Sequence, residues 1–519
     1  MTTTRRPNLI FFIPDELRAR ALACYGNPVV DTPNIDRLAA QGTRFDQCHV
    51  QHTVCTPSRT SFTTGWYPHV RGHRTLWNML GPDDPNLLKY LKQSGYEVIW
   101  GGKNDLLAPE AFPESVDDWD IGRFSTRACP APHGGAPWDR DDPRYHSFLY
   151  DAIPGGIEAV SDFQHVDGAI EWLRQRPRNA DRPFALYLPL TFPHCPYHAP
   201  EPWHSRHRAE ATPALIPPDL PGKPDFHRLI RASRRLNELD DHFFHKIQAS
   251  YLGMVEVTDT LLGMLTDALE ETGHDADTAV MLFADHGDWA GDYGLVEKWP
   301  SALDDCLTRV PLIVRAPGDS FARGHVVHEP VELFDVMATA LDLAAISPTH
   351  VHFARSLVPQ LLGAPGDPDR AAFTEGGYDP HEPHAFEGRA QSGGLFRDPA
   401  NVYYPKGRLQ QDHPESVCRA VSIRTATHRL VHRPLGTSEL YDLVDDPFET
   451  RNCHNHPAHA AVQASLERRL LDWFVRTSDV VPLREHPRSL PPSHNPVPHP
   501  LGDANAALGA ATGVGTQDS

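Results

Sequence analysis

The sequence predicts an α/β protein built on a large, mostly parallel β-sheet with helices on both faces, followed by a small antiparallel α+β domain. Apolar, β-rich runs alternate with helical segments such as 33–41, 86–94 and 251–271, which is the rhythm of βαβ units. Between about 393 and 447 the β-type runs are closely spaced, and an amphipathic helical segment at 458–474 follows. With 519 residues, the chain is long enough for both parts.

We therefore divide the chain into an α/β domain at 1–385, a small antiparallel domain with one helix at 386–480, and a tail at 481–519. The tail is rich in Pro, His, Gly and Ala without periodicity, which predicts that it is largely disordered. The stretch 196–246, rich in Pro, His and Arg, is predicted to be an insertion that shapes substrate entry.

Two of the predicted strands end abruptly in side chains that bind metals. The apolar run 9–13 leads to Asp15, and the run 278–284 leads to Asp285 and His286. Ligands of open α/β sheets bind at the carboxyl ends of the strands. An Asp at such a place can also cap a helix, but two acids that converge from two strands are costly unless a cation neutralises them. The pattern therefore predicts a divalent metal with these three residues as ligands.

A short motif lies between these two strands. The chain reads Cys55-Thr56-Pro57-Ser58-Arg59 beside a predicted helix start, and Arg59, one helical turn beyond Cys55, should face the same way. The planar guanidinium suits an oxyanion. Because a free cysteine is also a common buried residue, and short motifs occur by chance, the context decides.

The context supplies four elements in a fixed order. They are the early acidic pair at 15–16, Thr-Pro-Asn-x-Asp-x-Leu-Ala at 32–39, Cys-x-Pro-x-Arg at 55–59, and Asp-His-Gly at 285–287. In this order they resemble the formylglycine-dependent sulfatases of the alkaline-phosphatase-like superfamily. The resemblance continues through Cys24-Tyr25-Gly26, 183–194 and 439–447, and so covers nearly the whole chain up to about residue 480.

The resemblance implies that Cys55 is a precursor. In that family a formylglycine-generating enzyme oxidises the cysteine to an aldehyde, whose hydrate is the nucleophile, and the arginine, here Arg59, holds the hydrate and the bound anion. A geminal diol lets the ester hydrolyse in two easier steps. The resemblance also implies a divalent metal, expected to be Ca²⁺, held by Asp15, Asp285, His286 and an oxygen of modified Cys55. Histidine is a softer ligand than calcium prefers, so Mn²⁺ and Mg²⁺ stay open.

Two positions depart from the family pattern. Glu16 stands where the family usually has Asp or Gln, and its longer side chain can reach the metal, face solvent or bridge a neighbouring base. Lys103 matches the lysine of a Gly-Lys-x-His element and would bind the anionic ester, but Asp105 replaces the histidine. Asp105 is expected either to meet a cationic or hydroxylated part of the substrate, or to pair with Lys103 or cap the next helix.

Three further residues are site candidates by their position in family motifs. His194 matches a histidine that contacts the sulfate or protonates the leaving oxygen, a task suited to its ordinary pKa. With 31 histidines in the chain, only the motif distinguishes it. Lys298 matches a second lysine near the leaving group, and Asn78 is a further candidate for substrate contact.

The resemblance therefore predicts a sulfatase that hydrolyses a small-molecule or saccharide sulfate ester to an alcohol and sulfate. One alternative is a phosphonate monoester or phosphodiester hydrolase with the same signature. Another is a non-catalytic metal-binding homologue with unmodified Cys55. The organic part of the substrate and the oligomeric state stay open.

Composition excludes some classes of partner. The 48 basic and 68 acidic residues give a net charge of −20 and no basic patch of the kind that binds nucleic acid. No apolar stretch has the length of a membrane span. The run after Arg5-Arg6 is shorter than a secretory signal and leads directly to Asp15, and the eight cysteines lack paired spacing. These features predict a cytoplasmic protein with reduced thiols.

Overall fold

The computed structural model describes residues 6–125, 136–482 and 488. Within these ranges the β-strands are β1 (Asn8–Ile13), β2 (Thr43–His49), β3 (Glu97–Trp100), β4 (Phe184–Pro189), β5 (Thr278–Phe283), β6 (Arg309–Arg315), β7 (His325–Glu332), β8 (Ala372–Gly376), β9 (Ala420–Arg424), β10 (His428–His432) and β11 (Glu439–Asp442). The α-helices are α1 (Pro33–Gln41), α2 (Cys55–Thr64), α3 (Pro68–Arg71), α4 (Leu87–Gln93), α5 (Phe112–Ser115), α6 (Ser161–Gln175), α7 (Trp203–Arg206), α8 (Phe226–Ser233), α9 (Asp241–Glu271), α10 (Asp305–Thr308), α11 (Asp335–Leu343), α12 (Val358–Leu361), α13 (Gly394–Arg397), α14 (Tyr404–Asp412) and α15 (Ala460–Thr477).

The large sheet has seven strands in the order β3-β4-β1-β5-β6-β2-β7. All neighbours are parallel except β6, which runs antiparallel to both β5 and β2. This confirms the predicted mostly parallel sheet. The six residues of β1 are all buried, as are those of β4 and β5, because central parallel strands are covered on both faces and read as continuous apolar runs.

Two groups of helices flank this sheet. Helices α1 and α6 contact α9, whereas α2, α4 and α11 contact one another. The predicted helix at 33–41 is confirmed as α1. Helix α9 begins at Asp241, ten residues before the predicted start, because the side chain of Asp240 accepts a hydrogen bond from the Phe243 N–H at 2.8 Å and caps the helix.

The predicted small antiparallel sheet is confirmed as four strands in the order β11-β10-β9-β8. Helix α15 packs on β9 and β10 through a face that includes Leu466, Leu470 and Trp473. The prediction of closely spaced β runs from 393 was wrong at its start, because α13 and α14 precede the strands. Pro405 suits the first turn of α14, where no N–H is needed.

The division of the chain at 385/386 stays a prediction; β8 supplies an edge strand of the small sheet from a position before it. The predicted disorder of the tail concerns residues that, apart from 481, 482 and 488, lie outside the described part of the chain. None of the described helices has both the length and the apolar character needed to span a membrane.

Candidate active site

Two neighbouring parallel strands and the start of a helix build the site. β1 and β5 end side by side, and their continuations carry Asp15 and Asp285 with His286, while Cys55 is the first residue of α2. One donor atom from each of these four residues lies within 4.8 Å of the other three, and all four side chains are buried. The structure therefore brings together the predicted metal ligands.

The Cys55 thiol lies among charged groups. Its Sγ is 3.2 Å from His286 Nε2, 3.7 Å from Asp15 Oδ1 and 3.8 Å from Lys103 Nζ. Burial, and then the charge of Asp15, raises the pKa of the thiol well above its ordinary value. The protein groups around Cys55 therefore favour the neutral thiol, which is a poor nucleophile.

Arg59 links the two carboxylates. Its Nε donates to Asp285 Oδ2 at 2.9 Å and its Nη2 donates to Asp15 Oδ2 at 3.1 Å. The three side chains are almost fully buried. As predicted from the helical spacing, Arg59 faces the same site as Cys55.

Lys103 reaches the site from the end of β3. Its Nζ is 2.6 Å from Asp15 Oδ2 and 2.9 Å from Asp105 Oδ2. Gly102 permits this approach, because its φ is +131° and an added Cβ would lie 2.1 Å from the carbonyl oxygen of Pro189. Asp105 thus makes the ion pair that was one of its sequence-based alternatives.

The charges around Asp15 keep it ionised. Burial opposes ionisation, but nearby positive charges, Lys103 first and Arg59 among them, hold the pKa of this carboxyl well below its ordinary value. An ionised carboxylate is the form that ligates hard cations.

A second cluster lies beside the first. The Glu16 carboxylate forms an ion pair with Lys298 and lies 3.3 Å from His194 Nε2, which is 3.0 Å from Lys298 Nζ. Glu16 is buried and has a positive φ of 65°, and its side chain groups with His194 and Cys195 instead of the four donors around Cys55. The sequence left three roles open to Glu16, and these contacts match the role of bridging a neighbouring base, here His194 and Lys298. Metal ligation by Glu16 stays a prediction.

Burial sets the protonation of this second cluster. It lowers the pKa of His194 well below its ordinary value, helped by the charges of Lys298 and Lys103. For Lys298 burial acts to lower the pKa, but the charges of nearby acids, Glu16 and Glu297 among them, raise it well above the ordinary value. At neutral pH the cluster therefore pairs a neutral imidazole with a protonated lysine.

A layer of buried residues that sequence reasoning missed supports these clusters. Glu297, which precedes Lys298, has a φ of 66° and lies 2.6 Å from Arg234 Nη2 and 2.7 Å from Lys406 Nζ. Tyr251 donates to the backbone oxygen of Glu16 at 2.6 Å. These partners are distant in the chain, so no local pattern marks them.

Asp288 and its partner Tyr197 also belong to the supporting layer. The Tyr197 hydroxyl donates to Asp288 Oδ1 at 2.7 Å and accepts from the Glu297 N–H at 2.8 Å. Asp288 follows the Asp-His-Gly motif directly, and this position was the one available signal.

Asn78 is exposed, and its Oδ1 accepts a hydrogen bond from the Thr75 hydroxyl at 2.5 Å. Its loop is tied to α2 by a hydrogen bond from the Thr56 hydroxyl to the carbonyl oxygen of Leu76 at 3.1 Å. The predicted contact of Asn78 with substrate stays a prediction.

The donor set fits a divalent cation. Two buried carboxylates from neighbouring strands supply hard oxygen ligands, and His286 supplies a nitrogen. Arg59 and Lys103 contact the same carboxylates and so compensate part of their charge.

Known proteins resemble this chain over most of its length. A family model described as Sulfatase matches residues 7–346. The chain belongs to the sulfatase family. Similar proteins include the uncharacterized sulfatase YidJ of Escherichia coli, which is 27% identical over 94% of this chain and 90% of its own length. Human iduronate 2-sulfatase is also 27% identical, over 70% of each chain.

Solved structures share the sulfatase's fold. The phosphonate monoester hydrolase of Agrobacterium radiobacter superposes with a TM-score of 0.68 at 22% identity, covering 91% of this chain and 96% of its own. A structure solved with its substrate D-glucosamine-2-N,6-O-disulfate gives a TM-score of 0.65 at 20% identity over 91% and 98%. The alkaline-phosphatase-like fold predicted from the sequence is thereby confirmed.

Proposed function

We propose that this sulfatase hydrolyses sulfate esters to an alcohol and sulfate after Cys55 has been converted to formylglycine. One observation carries the proposal: Cys55 opens α2 within 4.8 Å of donor atoms of Asp15, Asp285 and His286, and Arg59 on the same helix face bridges both carboxylates.

The modification and the metal would supply what the side chains lack. The aldehyde hydrate offers one hydroxyl to attack the sulfur and a second whose deprotonation later expels sulfate. A divalent metal, which we propose to be Ca²⁺ with Mn²⁺ or Mg²⁺ as alternatives, would be held by Asp15, Asp285, His286 and the oxygen of modified Cys55, and would supply charge for the anionic ester. Maturation requires a formylglycine-generating enzyme.

The remaining residues hold the ester and move protons. Arg59 and Lys103 provide positive charge where the anion binds. Protonated Lys298 is placed to give a proton to the leaving oxygen, and the neutral imidazole of His194, 3.0 Å from Lys298 Nζ, would contact the bound ester. Glu16 contacts both groups and would hold them in position, so it acts as a positioning residue.

A monoanionic ester on a saccharide is the substrate class that we propose. Asp105 offsets part of the charge of Lys103, which matches an ester with one negative charge better than one with two. Among the relatives is the N-acetylglucosamine-6-O-sulfatase of Bacteroides thetaiotaomicron, 25% identical over 89% of this chain and 85% of its own length.

The second candidate is hydrolysis of phosphonate monoesters or phosphodiesters. These esters also carry one charge, so the Lys103–Asp105 pair fits them as well. A relative from Trinickia caryophylli, 27% identical over 90% of this chain and 93% of its own, is described as a multifunctional alkaline phosphatase superfamily protein.

The test is a panel of sulfate esters, phosphonate monoesters and phosphodiesters assayed with wild type and Cys55→Ala. We expect kcat/KM to be highest for sulfate esters and turnover of every ester to be lost in the variant, because the nucleophile is gone, while the circular dichroism spectrum is unchanged. Cys48→Ala, at another buried cysteine, is the control and should stay active. Higher kcat/KM for phosphonate monoesters would favour the second candidate, and a largely active Cys55→Ala would remove the formylglycine mechanism.

A further inference from the structure

The small C-terminal sheet carries a second group of metal-type donors. His428 opens β10, Asp442 closes β11, and the two residues are cross-strand partners. His459 is the residue before α15. One donor atom from each lies within 4.8 Å of the other two, and the three side chains are partly exposed.

Hydrogen bonds through their other polar atoms orient two of these donor residues. His428 Nδ1 is 2.9 Å from Thr427 Oγ1, so Nε2 is the nitrogen that faces Asp442. Asp442 Oδ1 accepts hydrogen bonds from the backbone N–H groups of Val444 at 3.1 Å and Asp445 at 3.3 Å, and Oδ2 faces His428. Metal-binding histidines and carboxylates are characteristically held by such hydrogen bonds.

No direct hydrogen bond joins the imidazole of His428 to the carboxylate of Asp442. The distance from His428 Nε2 to Asp442 Oδ2 is 3.8 Å, which is too long for a hydrogen bond. Two ligands that are each about 2.1 Å from one tetrahedral ion lie about 3.4 Å apart, so a small shift of these two side chains would bring both atoms to a shared cation. His459 is the third member of the group, and its imidazole ring centroid is 6.5 Å from that of His428.

We propose that His428 Nε2, Asp442 Oδ2 and an imidazole nitrogen of His459 bind a divalent transition metal of the Zn²⁺ class. Two imidazoles and one carboxylate suit zinc, whereas calcium and magnesium prefer oxygen ligands throughout. Small rotations of the side chains bring the third donor into range, and partial exposure gives the ion access. The ion would link the start of α15 to β10 and β11. This proposal is independent of the proposed function.

The test measures zinc bound to the full chain. Wild type, Asp442→Asn and His459→Ala are dialysed against buffered ZnCl₂ and analysed for zinc per chain. We expect wild type to bind one more equivalent than either variant, or to bind that equivalent at least about 10-fold more tightly. Any zinc at the Cys55 site is common to all chains and cancels in the comparison.

His432→Ala is the matched control, because His432 lies at the other end of β10 with an exposed imidazole outside the cluster. Equal zinc binding by wild type and both variants would overturn the proposal, as would an equal loss in His432→Ala. Should His459→Ala fail to fold, the nearly isosteric Asp442→Asn alone decides. With Co²⁺ as a second probe, we expect a visible absorption band in wild type that is absent in Asp442→Asn; the same band in both would contradict the site.

Discussion

At the scale of single residues, Arg59 is the group on which the site's geometry depends most directly. Its guanidinium contacts Asp285 and Asp15 with two different nitrogens in a buried setting. A lysine has one charged nitrogen and cannot reproduce the planar fork. A lysine at position 59 would keep the positive charge but could not contact both Asp15 and Asp285.

We predict that Arg59→Lys lowers kcat/KM by at least about 100-fold, the scale of losing one charge-stabilising donor. Steady-state kinetics on the best sulfate ester measure this. The control is Arg176→Lys. Arg176 pairs with Glu97 at 2.5 Å, at the end of β3 opposite to Lys103, so this variant should leave kcat/KM unchanged. Near wild-type kinetics for Arg59→Lys would contradict the assigned role.

We also predict that Asp285→Asn lowers the metal content of the purified protein, because an amide is a weaker ligand for hard cations than a carboxylate. Elemental analysis after dialysis against Ca²⁺, Mn²⁺ or Mg²⁺ measures it, and Asp277→Asn, next to the other end of β5 and paired with Arg178, is the control. Unchanged metal content in Asp285→Asn would remove this ligand.

At the scale of elements, the ligands at the strand ends could be predicted from the sequence, but the buried ion pairs that support them could not. An apolar run that stops at Asp15 or Asp285 shows both a buried strand and a ligand at its end. Glu297 gives no such signal, because its partners Arg234 and Lys406 are 63 and 109 residues away. Long-range ion pairs depend on the assembled fold.

We predict that Glu297→Gln lowers the free energy of unfolding by about 3 kcal/mol, because it leaves buried Arg234 without a counter-charge and takes from Lys406 one of its two acidic partners. We also expect it to reduce kcat by displacing Lys298. Denaturant unfolding followed by tryptophan fluorescence measures the first effect. Glu238→Gln, at an exposed pair with Arg235, should leave the midpoint unchanged. An unfolding midpoint for Glu297→Gln equal to wild type would show that this cluster does not stabilise the fold.

At the scale of the whole molecule, the class of both sheets could be predicted from the sequence, because buried strands consist largely of apolar residues. The central parallel strands β1 and β4 are fully buried and mostly apolar, and the strands of the small sheet are shorter. The helices α13 and α14 were missed because they lack an apolar helical repeat: α13 is a single short turn, and the buried residues of α14 include Lys406, Gly407 and Gln410. The antiparallel direction of β6 inside the large sheet is likewise a property of the chain's path and has no local pattern.

The same reasoning explains which parts of the site were predicted. Motifs close in the chain located Cys55, Arg59 and the acids at strand ends. The contact of Glu16 with Lys298, which are 282 residues apart, required the fold. The proposed chemistry therefore depends on the chemical state of Cys55, which a local motif identifies. It also depends on contacts between residues far apart in the chain, which only the fold shows.

The measurement that tests the central claim most directly is the mass of the tryptic peptide containing Cys55, from protein co-expressed with a formylglycine-generating enzyme. We predict a loss of about 18 Da relative to the unmodified peptide, as a thiol side chain becomes the aldehyde that the mechanism requires. A Cys55 peptide of unmodified mass, under conditions that convert a control sulfatase, would contradict the account and favour a non-catalytic homologue.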